Sequence, residues 1–132
     1  MKLRNTWQAL AGIGASLALV TAFSGTAEAR PGAPWIGYGY STSGPGVKCA
    51  QMFAGLYGNV GHPVAKDGRY GPETQDAIKR FQVQAGKWPY YIQLTADGIV
   101  GPATGKAMLK FAKEDYSLEP ADYVSCSIEL PS

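Results

Sequence analysis

The stretch Asp67-Gly68-Arg69-Tyr70-Gly71-Pro72-Glu73-Thr74-Gln75-Asp76-Ala77-Ile78-Lys79-Arg80-Phe81 recurs 30 residues later as Asp97-Gly98-Ile99-Val100-Gly101-Pro102-Ala103-Thr104-Gly105-Lys106-Ala107-Met108-Leu109-Lys110-Phe111. Of the 15 aligned positions, 7 are identical, and each copy dictates the same local structure. Asp-Gly makes a tight turn, because Asp accepts hydrogen bonds from nearby backbone amides and Gly tolerates positive φ. An apolar residue, Tyr70 or Val100, then points to the core. Gly-Pro starts a helix, with Pro at the first helical position, where its missing N–H costs nothing. Thr74, Ala77, Ile78 and Phe81 follow at helical spacing, as do Ala107, Met108 and Phe111 in the second copy. Two helices are predicted, over 72–85 and 102–113.

Upstream, Val47, Ala50, Gln51, Ala54 and Tyr57 also fall at helical spacing, and Gly58 ends the run. Downstream, Val124, Cys126, Ile128 and Leu130 alternate with Ser125, Ser127 and Glu129, which reads as an extended strap with one buried face. The expected fold is mainly α: a small three-helix domain with two repeated D-G turn/helix units and an extended C-terminal strap. The domain is placed at 46–132, with its repeats inside 46–113 and the strap at 114–132.

The N-terminus has the layout of a secretory signal peptide. Lys2 and Arg4 precede an apolar run from Ala9 to Phe23, and Ala27-Glu28-Ala29 has the small-x-small form of a cleavage site. The run is shorter than the roughly 20 residues that span a bilayer. Residues 1–29 are therefore read as a leader, the mature chain as starting at Arg30, and no membrane association is expected after cleavage. Residues 30–45, rich in Gly, Pro and Tyr, read as a linker or arm; Trp35, Tyr38 and Tyr40 argue against a purely flexible spacer.

Charge and rare residues limit the function. With 12 Lys and Arg against 10 Asp and Glu, the 132-residue chain carries +2, and it lacks the dense basic face of a nucleic-acid binder. Lys79, Arg80 and Lys87 form its one local cluster, read as a solvated helix face. Two cysteines in an exported chain read as a Cys49–Cys126 disulfide, with two free thiols as the alternative. The single histidine, His62, lies in a Gly/Pro loop, too little for a catalytic zinc site or a Ser- or Cys-based triad. Asp67 and Asp97 occupy equivalent turns, which favours a structural role over paired acid–base chemistry. Neither an enzyme nor a cofactor is expected.

The three helical segments together resemble the type 1 peptidoglycan-binding domain that accompanies many bacterial wall hydrolases. The resemblance rests on Val47-Lys48-Cys49-Ala50-Gln51, with Ala50 where the family has leucine. It rests further on Asp67, Gly68, Tyr70, Gly71, Thr74, Ala77, Ile78, Phe81 and Gln82, and on Asp97, Gly98, Ile99, Val100, Gly101 and Thr104. It implies non-covalent attachment, without cofactor, to cell-wall peptidoglycan through its glycan or its stem peptide; together with the leader, the expected protein is a stand-alone secreted module, monomeric and non-catalytic. The alternative is a secreted regulator or inhibitor of a wall enzyme, built on the same fold. This chain departs from the family by inserting Lys87 to Thr95 before the second D-G turn. Trp88, Tyr90 and Tyr91 in that insertion are the candidate aromatic platform. Arg69, Gln82 and Gln84 are the candidate hydrogen-bonding partners of an amide or carboxylate. No metal ligands are assigned.

Overall fold

Every helix among the described residues starts on a proline. In the computed structural model, which describes residues 32–58, 62–87 and 89–132, α1 spans Pro45–Tyr57, α2 Pro72–Ala85, α3 Pro102–Glu114 and α4 Pro120–Glu129. Three of the four are capped by glycine, at Gly44, Gly71 and Gly101. A proline at the first helical position has no N–H to leave unsatisfied and its φ is already set for the helix, which makes a sharp start. The expected signal peptide and the Arg30 start lie outside the described residues, as does Trp88.

α1 is the hub, packed against each of the other helices. It buries Val47, Ala50, Phe53 and Ala54, α2 contributes Ala77, Ile78 and Phe81, and α3 contributes Ala107, Met108 and Phe111. The alanines let the helices approach closely, and the aromatic rings fill what remains. Phe111 is the ring junction, at 5.2 Å from Phe81 and 5.6 Å from Tyr57 between centroids. Edge-to-face and tilted pairs at these separations add to simple burial. At Gly105 on α3 an added methyl would fall on the Pro131 carbonyl oxygen, so only glycine lets the C-terminal end pass there.

The mainly helical class holds, but the extended strap is corrected: Pro120–Glu129 is a helix. Cys126 and Leu130 are inward in both patterns, which is why the alternation misled. The helix also turns Ser127 inward and leaves Val124 and Ile128 47% and 37% exposed. Pro120 at the helix start, the same signal that opens α1 to α3, is the sequence feature that marks this helix. A disulfide joins Cys49 on α1 to Cys126 on α4, across a sequence separation of 77. Among the described residues no helix is long and apolar enough to cross a membrane.

Residues 32–44 lie on the domain. Ile36 is 1% exposed and pairs with Val100 in an antiparallel bridge, its N–H donating to Val100 O at 3.1 Å and Val100 N–H donating back at 2.9 Å. A second bridge joins Ser43 to Arg69, with Gly44 N–H donating to Gly68 O and Tyr70 N–H to Thr42 O, both at 2.9 Å. The arm thus spans both D-G turns.

Candidate functional site

The two D-G turns are held by the same device. In the first, Gln51 is 1% exposed, and its amide nitrogen lies 2.9 Å from each of Asp67 Oδ1, Arg69 O and Thr74 Oγ1. Its amide oxygen accepts from Gly68 N–H at 2.9 Å. In the second, the Gln82 amide nitrogen reaches Asp97 Oδ1 at 2.9 Å, Ile99 O at 3.0 Å and Thr104 Oγ1 at 3.2 Å. Its oxygen accepts from Gly98 N–H at 2.9 Å. In both turns the aspartate also accepts from the backbone N–H two residues on. A glutamine on the preceding helix therefore fills the polar groups that each turn would otherwise bury unpaired. Gly68 and Gly98 sit at φ of 70° and 77°, where a side chain would strain the turn. The Tyr70 hydroxyl donates to the Gly98 carbonyl and links one turn to the other.

Hydrogen bonds from Arg69 N–H and the Gln51 amide hold the Asp67 carboxyl below the usual carboxylate range. Burial pushes the Tyr70 phenol up to about 12. Both effects belong to a rigid scaffold rather than to a group poised for proton transfer.

Each turn opens onto a groove at the start of the next helix. The first, about 430 Å³, is bounded by Asp67, Arg69, Tyr70, Pro72 and Glu73. The second, about 250 Å³, is bounded by Trp35, Gln93, Asp97, Ile99, Pro102 and Ala103. They occupy equivalent places in the two repeats and differ in chemistry: the first has charged walls of both signs, the second the Trp35 indole and aliphatic side chains beside Gln93 and Asp97.

The sequence-selected residues scatter. Arg69 is exposed on the wall of the first groove. Gln82 is buried, its amide spent on the second turn, so it positions that turn instead of meeting a ligand at the surface. Gln84 is half-buried on α2. Tyr90 packs on Phe111 with ring centroids 3.9 Å apart and so pins the insertion to α3; the Lys110 ammonium stands 5.9 Å from its ring. Tyr91 projects, 63% exposed, at a left-handed φ of 51°. The platform expected from the insertion thus reduces to Tyr91 among the described residues.

The arm supplies three rings that the sequence sets against a flexible spacer but does not place among the candidate site residues. Trp35, Tyr38 and Tyr40 are each about half exposed yet held in place. Trp35 and Tyr40 rings lie 5.2 Å apart, and Tyr38 meets Tyr70 edge-on at 5.0 Å. The signal was the aromatic content of a Gly/Pro-rich segment, where a flexible spacer carries few rings.

Among the described residues, no group of three or more His, Cys, Asp and Glu side chains stands close enough to hold a metal ion. Residues 43–108 match the family described as a peptidoglycan binding domain. A zinc D-Ala-D-Ala carboxypeptidase of Streptomyces albus G is 36% identical over 74 residues, which make up 56% of this chain and 26% of that protein. The chain thus matches only about a quarter of the carboxypeptidase's length. No solved structure matches the chain.

Proposed function

Since this chain belongs to the peptidoglycan-binding domain family, we propose that it is a secreted, monomeric and non-catalytic protein that attaches to bacterial cell-wall peptidoglycan. The observation that carries the proposal is the match over residues 43–108, which takes in both D-G turns, both glutamines that hold them and the starts of both following helices. These are the parts that shape the two grooves. The family membership favours the wall as partner over nucleic acid or a membrane surface, and the near-neutral charge agrees.

The non-catalytic half of the proposal rests on how reactive residues are used. Cys49 and Cys126 are joined, and Asp67 and Asp97 accept hydrogen bonds inside their turns. The carboxypeptidase named above shares a segment that is 26% of its length, and its peptidase activity is not carried over to this chain.

The test is co-sedimentation of the mature chain, recovered from culture supernatant, with insoluble peptidoglycan and with cellulose as control. Selective pelleting with peptidoglycan, without release of soluble wall fragments, is the expected result. A chain that stays in the supernatant sinks wall attachment and directs attention to the wall-enzyme regulator. Fragment release that disappears in His62→Ala overturns the non-catalytic assignment.

A further inference from the structure

Wall peptidoglycan offers two chemistries, a sugar strand and a peptide stem, and the surface built by the arm favours one of them. Trp35 is 44% exposed, a large share for an indole whose position is fixed. Its ring rests on the start of α3: a methyl group placed on Gly101 would lie 3.4–3.5 Å from three of its carbons. The backbone around it is closed on itself. Ser41 N–H donates to Trp35 O at 2.9 Å, Gly37 N–H to Ser41 O and Tyr40 N–H to Gly37 O at 3.0 Å each, while the buried Ile36 ties the loop to Val100. An exposed ring already held in one pose loses little freedom when a ligand stacks on it. The groove below the ring combines the Gln93 and Asp97 polar groups with the aliphatic surface of Ile99 and Ala103.

Resting on the wall-attachment reading, we propose that Trp35, Tyr40 and the second-repeat groove form a saccharide site that takes an N-acetylated aminosugar of a glycan strand. The C–H face of a pyranose is apolar and flat enough to stack on the indole, while its hydroxyls need directional partners. An acetamido group carries a methyl and an amide together, and this groove offers aliphatic and polar walls side by side. A peptide stem, with its free carboxylates and amine, suits the charged groove of Arg69, Asp67 and Glu73 better. The family match begins at residue 43. Trp35 and Tyr40 lie before it, so the aromatic wall of the site lies outside the matched segment while the groove itself lies within it.

The test titrates the purified chain with three probes, followed by intrinsic fluorescence and calorimetry. They are peptide-free glycan strands released from peptidoglycan, a chitin tetrasaccharide, and the free stem peptide. The expected result is binding to the glycan strands and not to the stem. Trp35→Ala weakens glycan binding by roughly tenfold, the scale of one lost aromatic stack, and Trp35→Phe recovers part of it. Because Trp35 also rests on Gly101, the exposed Gln93→Ala serves as a second variant that reads the groove without touching the packing. It too is expected to weaken the glycan complex. Binding of the tetrasaccharide as well assigns recognition to the N-acetylhexosamine common to both polymers. Binding of the wall glycan alone assigns it to the muramic acid unit. Undiminished binding in both Trp35→Ala and Gln93→Ala, or binding of the stem peptide in place of glycan, overturns the site. That outcome leaves wall attachment standing if the whole chain still pellets with peptidoglycan, whereas loss of pelleting by the unaltered chain removes the premise.

Discussion

Gln51 and Gln82 show what two side chains do for a fold with few large hydrophobes. Each satisfies a turn of the same sequence from the helix before it, and each is buried with both ends of its amide engaged. Gln82→Ala strands the buried Gly98 N–H, at a cost of about 1–3 kcal/mol, and removes a partner from the part-buried Ile99 carbonyl. The expected fall in melting temperature is roughly 4–8 °C for each kcal/mol in a domain of this size. Gln84→Ala, on the same helix and half-buried, is the control and is expected to stay within about 0.5 kcal/mol. Equal thermal melts for the two variants would show that the amide contacts contribute nothing. Asp67 adds a pH dependence. Its carboxyl titrates below the ordinary value in the folded chain, so its contribution is present above the unfolded-state value and is lost as pH falls through the folded one. Asp67→Asn is expected to flatten the acid limb of a stability–pH curve, and an unaltered limb would place the acid sensitivity elsewhere.

At the scale of elements, the disulfide decides how firmly α4 is held. The helix buries little beyond Cys126, Ser127 and, just after its end, Leu130. Closing a 77-residue separation stabilises by roughly 4 kcal/mol in the chain-entropy treatment. Reduction is therefore expected to lower the melting temperature by well over 10 °C and to cost helical ellipticity from α4 first; an unmoved melt under reductant would make the bridge idle. This element also marks where sequence reading ends. α2 and α3 were legible because a turn signal, a Gly-Pro start and a helical apolar period agree within one segment. α4 was not, because Cys126 and Leu130 satisfy a period of two as well as a helical one, and short apolar patterns leave that choice open. The site was legible in its scaffold and not in its surface. Gln82 reads as a surface hydrogen-bonder because glutamine is usually exposed, and only the folded turn shows the amides that need it.

The molecule as a whole extends past its repeats. Two backbone bridges from residues 36 and 43 reach the two D-G turns, and Ile36 fills the core between the arm and Val100. The arm therefore completes the domain, which makes the pose of Trp35 a consequence of core packing. Ile36→Ala is expected to cost about 2–4 kcal/mol, the range for truncating a buried aliphatic side chain that leaves a cavity. It should lower the urea midpoint with little change in slope, since the surface exposed on unfolding is nearly the same. Val124→Ala, at an exposed position of α4, is the matched control and should shift the midpoint by less than about 0.5 kcal/mol equivalent. If Ile36→Ala unfolds at the same midpoint as the control, the arm is a passenger on the repeats, and a rigid aromatic surface built on it loses its foundation. If the midpoint falls as expected, the residues that fasten the arm also set the geometry of the surface above it.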